Sequence, residues 1–140
     1  MSAIALKLKR VVLLVLPLLV VMTAAQAAPL VDPDPVLIPP GLSEQSVVKA
    51  IRVGSAKRGW MITKADPGHM EATLNVRVHT VKVNIDYDAE KIRIKYLSSE
   101  NLEYAEKNGQ QHIHGNYNKW VRNLAVDISS ELALLPPDAR

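Results

Sequence analysis

From Trp60 to Tyr96 apolar and polar residues alternate with a period of two, and a stretch patterned this way folds only as strands. Trp60 and Ile62 open the series, and Asp66-Pro67-Gly68 is a turn. Met70, Ala72, Leu74, Val76 and Val78 then hold even positions, whereas Val81, Val83, Ile85 and Tyr87 hold odd ones. Side chains of a strand point strictly to alternate faces, so this change of phase requires a turn or bulge near Arg77 to Thr80. Asp88-Ala89-Glu90-Lys91 supplies a further turn, after which Ile92, Ile94 and Tyr96 resume the alternation. The result is an antiparallel meander with one apolar face, and that face has to be covered.

The flanking segments supply the cover. Ser43 is a candidate N-cap, Glu44 sits where the helix dipole favours an anion, and Val47, Val48 and Ile51 form one stripe. Lys57, Arg58 and Gly59 mark the end of this first helix. The last element is patterned most clearly, with Tyr117, Trp120, Val121, Leu124, Ile128, Leu132 and Leu135 on one helical face. Asn116 is its candidate cap and Pro136-Pro137 its stop, and Asn108-Gly109 predicts a short hairpin just before it. The pattern therefore predicts an α+β fold in which a three- or four-stranded antiparallel meander is covered on one face by an N-terminal and a C-terminal helix. This single domain is expected over residues 42–135, followed by a short tail at 136–140.

What precedes the domain is an address and an arm. Lys7, Lys9 and Arg10 stand before an unbroken apolar run from Val11 to Met22, and Ala25-Gln26-Ala27 follows as a small-x-small cleavage site. Twelve apolar residues span about 18 Å as a helix, short of the roughly 30 Å hydrocarbon core. Residues 1–27 are therefore expected to be a cleaved signal peptide, which implies a periplasmic or secreted protein with no stable membrane span afterwards. Residues 28–41 carry five prolines and predict an extended arm, of which Val36-Leu37-Ile38 is apolar enough to dock.

Losing the leader changes the electrostatics. The whole chain has 17 basic and 14 acidic residues, and removing Lys7, Lys9 and Arg10 leaves 14 of each. A nucleic-acid binder keeps a basic excess, so nucleic acid is not the expected partner. The charge is uneven all the same, since ten bases face five acids between residues 49 and 95. With no cysteine in the chain, disulfides, thiolate metal sites, cysteine nucleophiles and a lipid-modified cysteine are all excluded.

Several segments together carry a family resemblance: Gly59-Trp60, Ile94-Lys95-Tyr96, Ser99 to Tyr104, and above all Ile113-His114-x-x-Tyr117-Asn118-x-Trp120-Val121-x-Asn123-Leu124. From Ser43 to about Ser130 the chain resembles an uncharacterised family of small exported proteins and lipoproteins of Gram-negative bacteria. The resemblance implies a compartment and a fold but no reaction, and without a cysteine the lipid anchor does not carry over.

Reactive groups are sparse. His112 and His114 share a strand face and could chelate a metal, although two imidazoles make an incomplete site unless His69 or His79 joins them. His114 also stands beside Asn116, where a ring can bond free backbone groups of a helix start. Tyr117 and Trp120, bracketed by Asn116, Asn118 and Asn123, could suit a glycan or peptide, but they lie on the helix's apolar stripe, which favours the core for both. Asp86 and Asp88 flank Tyr87 as a charged strand end, and no serine sits in a nucleophile elbow. Arg93 and Lys95, with Lys82 nearby, form a basic polar face on the meander.

The binding candidates are accordingly Lys82, Arg93, Lys95, His114, Tyr117 and Trp120, with no catalytic residue and no cofactor expected. The expected function is that of a soluble, non-enzymatic envelope protein binding another envelope component, a protein or a glycan. A histidine-based metal or hydrolytic protein and an accessory subunit of an envelope complex are the alternatives.

Overall fold

The computed structural model describes residues 27–138, so the leader expected at 1–27 lies, apart from Ala27, outside the described residues. Ten elements follow in order: β1 (Ala27–Pro29), β2 (Val36–Leu37), α1 (Glu44–Ala56), β3 (Met61–Asp66), β4 (His69–Val76), β5 (His79–Tyr87), β6 (Lys91–Glu100), β7 (Ala105–Lys107), β8 (Gln110–His114) and α2 (Asn116–Leu134). The fold is α+β, with two helices and antiparallel sheets of five and three strands in the orders β2-β6-β5-β4-β3 and β1-β8-β7.

The expected meander is the run β3 to β6, and the sheets hold more strands than the alternation predicts. The additions come from the proline-rich arm, whose Val36 pairs with Ile92 and whose Ala28 pairs with Ile113. Segments of two or three residues beside prolines carry no period to read. The phase change falls at a two-residue turn, Arg77–Val78, with Val76 paired to His79. Asn108 and Gly109, both at positive φ, close the hairpin between β7 and β8.

Inward-facing Met70, Ala72, Leu74, Val81, Val83, Ile85, Ile92 and Ile94 meet Val47, Ala50 and Ile51 of α1 and Val121, Leu124 and Ile128 of α2 in one buried core. The two helices cross closely at Gly54, where an added Cβ would stand 2.8 Å from the Ile128 backbone. Ser43 caps α1 by accepting from the Ser46 N–H, and Gly59 at φ +86° ends the chain's helical path. The C-terminal segment returns to the same helix start. There the Asp138 carboxylate accepts from the Ser43 N–H and from the Ser46 hydroxyl. These donors hold its carboxyl below the usual carboxylate range.

Candidate functional site

With both helices on one side, the other face of the five-stranded sheet stays open, and the antiparallel register dictates what stands on it. One row runs Asn75, Thr80, Glu100; the next runs Met61, Thr73, Lys82, Ser98; the third runs Lys64, Glu71, Asn84, Lys95; the fourth runs Asp66, His69, Asp86, Arg93. Lys82, Arg93 and Lys95 are all exposed here. Lys82 lies opposite Ser98 and diagonal to Lys95, because a bulge between Lys82 and Val83 shifts the β5–β6 register. The face is built mainly from hydroxyl, amide and charged groups, with Met61 and Leu97 exposed among them, and the free edge strand β3 is itself bulged between Ile62 and Lys64.

Three acids on this face are engaged, Asp66 by Lys64 and Asp86 and Glu71 by His69, whereas Glu100, exposed and diagonal to Lys82, has no ion-pair partner among the described residues. His69 Nδ1 donates to Asp86 at 2.6 Å, and its Nε2 stands 3.8 Å from Glu71. That hydrogen bond outweighs desolvation and, helped by the charges of Asp86 and Glu71, raises the His69 pKa above its ordinary value. Asp88, just beyond the face, accepts from the Glu90 and Lys91 N–H groups, which lower its carboxyl pKa. Among the described residues, Lys82, Arg93 and Lys95 have no carboxylate at ion-pair distance.

The other candidates gather at the corner where β8 meets α2. Asn116 does not cap α2: Gly115 occupies the N-cap position, and His114 Nδ1 accepts from the Asn116 N–H at 3.2 Å. Accepting at Nδ1 leaves the His114 proton on Nε2, so this ring is set up as a backbone acceptor rather than as a neutral metal ligand. The ring that approaches His114 is that of His79, with centroids 6.2 Å apart, and His79 Nδ1 donates to the Asn101 carbonyl at 2.6 Å. His112 lies on the same strand with its Nδ1 buried. Among the described residues no three His, Cys, Asp or Glu side chains converge as a metal-holding group.

Tyr117 is corrected as a binding candidate. It is wholly buried and meets Tyr96 edge-on at 5.5 Å, so no ligand reaches it, and burial pushes its pKa up. Trp120 is half-buried, 6.3 Å from the His79 ring, and its outer part remains accessible. Between them Asn118 holds the arm: its Oδ1 accepts from the Val31 N–H, and its Nδ2 donates to the Pro29 carbonyl, each at 2.9 Å. The chain matches no family model, no curated protein and no solved structure.

The candidates thus divide into two places, the open sheet face carrying Lys82, Arg93 and Lys95 and a ring cluster carrying His114 and Trp120. The motif from Ile113 to Leu124 is accounted for by structure: Ile113, Tyr117, Val121 and Leu124 are buried, His114 receives the helix start and Asn118 clamps the arm. Sequence reasoning missed His69 as the partner of Asp86. The alternation of either strand alone does not show it, because the β4–β5 register is what sets His69 opposite Asp86. A groove of about 560 Å³ between the arm and α2, lined by Val31, Asp34, Leu37, Arg122 and Val126, was also missed. No sequence signal marks it, because the arm's path depends on the Asn118 clamp.

Proposed function

We propose that this chain is a non-enzymatic binding module of the bacterial envelope, carried there by the leader at residues 1–27, that recognises another envelope component through the open sheet face. The observation that carries the reading is the bare side of the five-stranded sheet, where Lys82, Arg93 and Lys95 stand exposed on strands held rigid by the core behind them. Three of the four bases on that face, Lys82, Arg93 and Lys95, have no ion-pair partner among the described residues. The leader and the resemblance to small exported proteins of Gram-negative bacteria support the compartment.

The reading is tested by exposing immobilised protein to envelope extract at low salt, beside a Lys82→Glu/Arg93→Glu/Lys95→Glu variant with unchanged melting. A component retained by the native chain and lost from the variant supports it. Equal retention by both, or none by either, overturns it. N-terminal sequencing of the exported protein is expected to begin at Ala28, and material retaining residues 1–27 would remove the compartment from the proposal.

A further inference from the structure

We infer that the groove between the arm and α2 seats a second copy of this chain, the two copies clasping about a two-fold axis with Leu37 of each lying in the groove of the other. The groove holds about 560 Å³, with Asp34 and Leu37 on its arm side and Arg122 and Val126 on its helix side. Of the eight large apolar side chains exposed among the described residues, Val31, Leu37 and Val126 all line it, and Leu37 is the barest of the eight at 76%. Apolar side chains left bare singly need no partner, whereas three gathered at one groove mark a contact surface. The arm beside them is stiff enough to act as a ridge. Pro33 and Pro35 fix its φ, Asn118 holds it at Pro29 and Val31, and Val36 and Leu37 pair with β6.

Self-complementarity selects a copy of the same chain. A two-fold contact makes every pairing twice, so one patch has to carry both halves of each. This patch does: the arm contributes an apolar ridge and an acid, and the helix contributes an apolar wall and a base. Laying each ridge in the other copy's groove brings Asp34 to Arg122 of the other copy at two symmetric places. Neither Asp34 nor Arg122 has an ion-pair partner among the described residues of its own chain. Asp32, the third charged group lining the groove, accepts from the Tyr96 N–H at 3.3 Å. The Arg122 guanidinium can grip a carboxylate through two parallel N–H donors, which fixes the orientation of the pair. A ligand of one charge sign loses to one wall of the groove what it gains from the other, whereas a second copy gains from both. The contact lies on the helix side of the sheet, apart from the face that carries Lys82, Arg93 and Lys95.

Sedimentation equilibrium of the full processed chain across a hundredfold range of concentration is expected to show a dimer that dissociates on dilution. Leu37→Asp, Asp34→Arg and Arg122→Asp, all at exposed positions, are each expected to weaken dimerisation at least tenfold. Their melting is expected to match that of the native chain at dilutions where the latter is monomeric. Asp34→Arg/Arg122→Asp exchanges the two charges and is expected to recover most of the native dimer, which also shows that both changes leave the fold intact. Lys82→Glu/Arg93→Glu/Lys95→Glu is expected to dimerise like the native chain. A native chain that stays monomeric over the whole range overturns the inference. So does a dimer that survives all three single changes, a double variant no better than either single one, or a dimer lost with the sheet-face triple variant.

Discussion

Asn118 stands in for a neighbouring strand: its side-chain amide accepts from the Val31 N–H and donates to the Pro29 carbonyl, both at 2.9 Å, across 87 and 89 residues of sequence. A proline-rich arm has few donors of its own, so one amide able to give and to accept fixes its course over the first turn of α2.

Asn118→Ala is therefore expected to cost about 1–2 kcal/mol, two partly solvated hydrogen bonds at their usual net value. Denaturant unfolding measures the cost, and hydrogen exchange at Val31 should accelerate. Asn116→Ala, whose side chain makes no hydrogen bond among the described residues, should change stability by less than about 0.5 kcal/mol.

Gly54→Ala sets two effects against each other. Alanine favours an exposed helix over glycine by about 1 kcal/mol. Here its Cβ would stand 2.8 Å from Ile128 Cα, which is backbone and cannot rotate away. Separating the helices is expected to win, with a net loss of about 1–3 kcal/mol. A raised melting temperature would show that the crossing is looser than described.

Tyr117 and Trp120, neighbours on one helix, should respond differently. The Tyr117 hydroxyl is buried without a protein hydrogen-bond partner, so Tyr117→Phe is expected to be neutral or slightly stabilising, within about 1 kcal/mol, whereas Tyr117→Ala should cost about 3–5 kcal/mol. Trp120→Ala, at a half-buried site, should cost about 1–3 kcal/mol. Equilibrium unfolding of the three variants checks the order.

His69 gives the open face a pH dependence. Its folded pKa is raised by Asp86 first, so protonated His69 favours the fold. This contribution is complete below the ordinary value of 6.5 and is lost as pH rises through the raised folded value. Relative to His69→Gln, the native chain should lose stability across that window, and a small change is expected because the pair is solvent-screened. Two parallel curves of stability against pH would contradict the pairing.

How much of this was legible follows from what a period can report. The alternation of Met70 to Leu74 against Val81 to Ile85 required a turn at Arg77–Thr80, and the turn is there, because a buried face leaves no freedom of phase. The stripe from Tyr117 to Leu132 located α2 for the same reason. The strands β1 and β2 were not legible: their partners are chosen by Asn118 and by the edge of β6, neither of which leaves a mark on Ala27–Pro29 or Val36–Leu37. Of the candidate residues, Lys82, Arg93 and Lys95 were visible as outward positions, since alternation assigns faces. The engagement of Asp86 by His69, which leaves those bases unpaired, depends on register across strands, and one strand's sequence does not carry that.

The central claim is that the open sheet face is a contact surface, and site-specific crosslinking in living cells tests it most directly. A photoreactive side chain in place of Ser98, among the cations, is compared with one in place of Val53 on the exposed side of α1. The account predicts a discrete crosslinked species from position 98 and none from position 53, with the first abolished by Lys82→Glu/Arg93→Glu/Lys95→Glu. Crosslinks from position 53 alone, or none from either position, would contradict it.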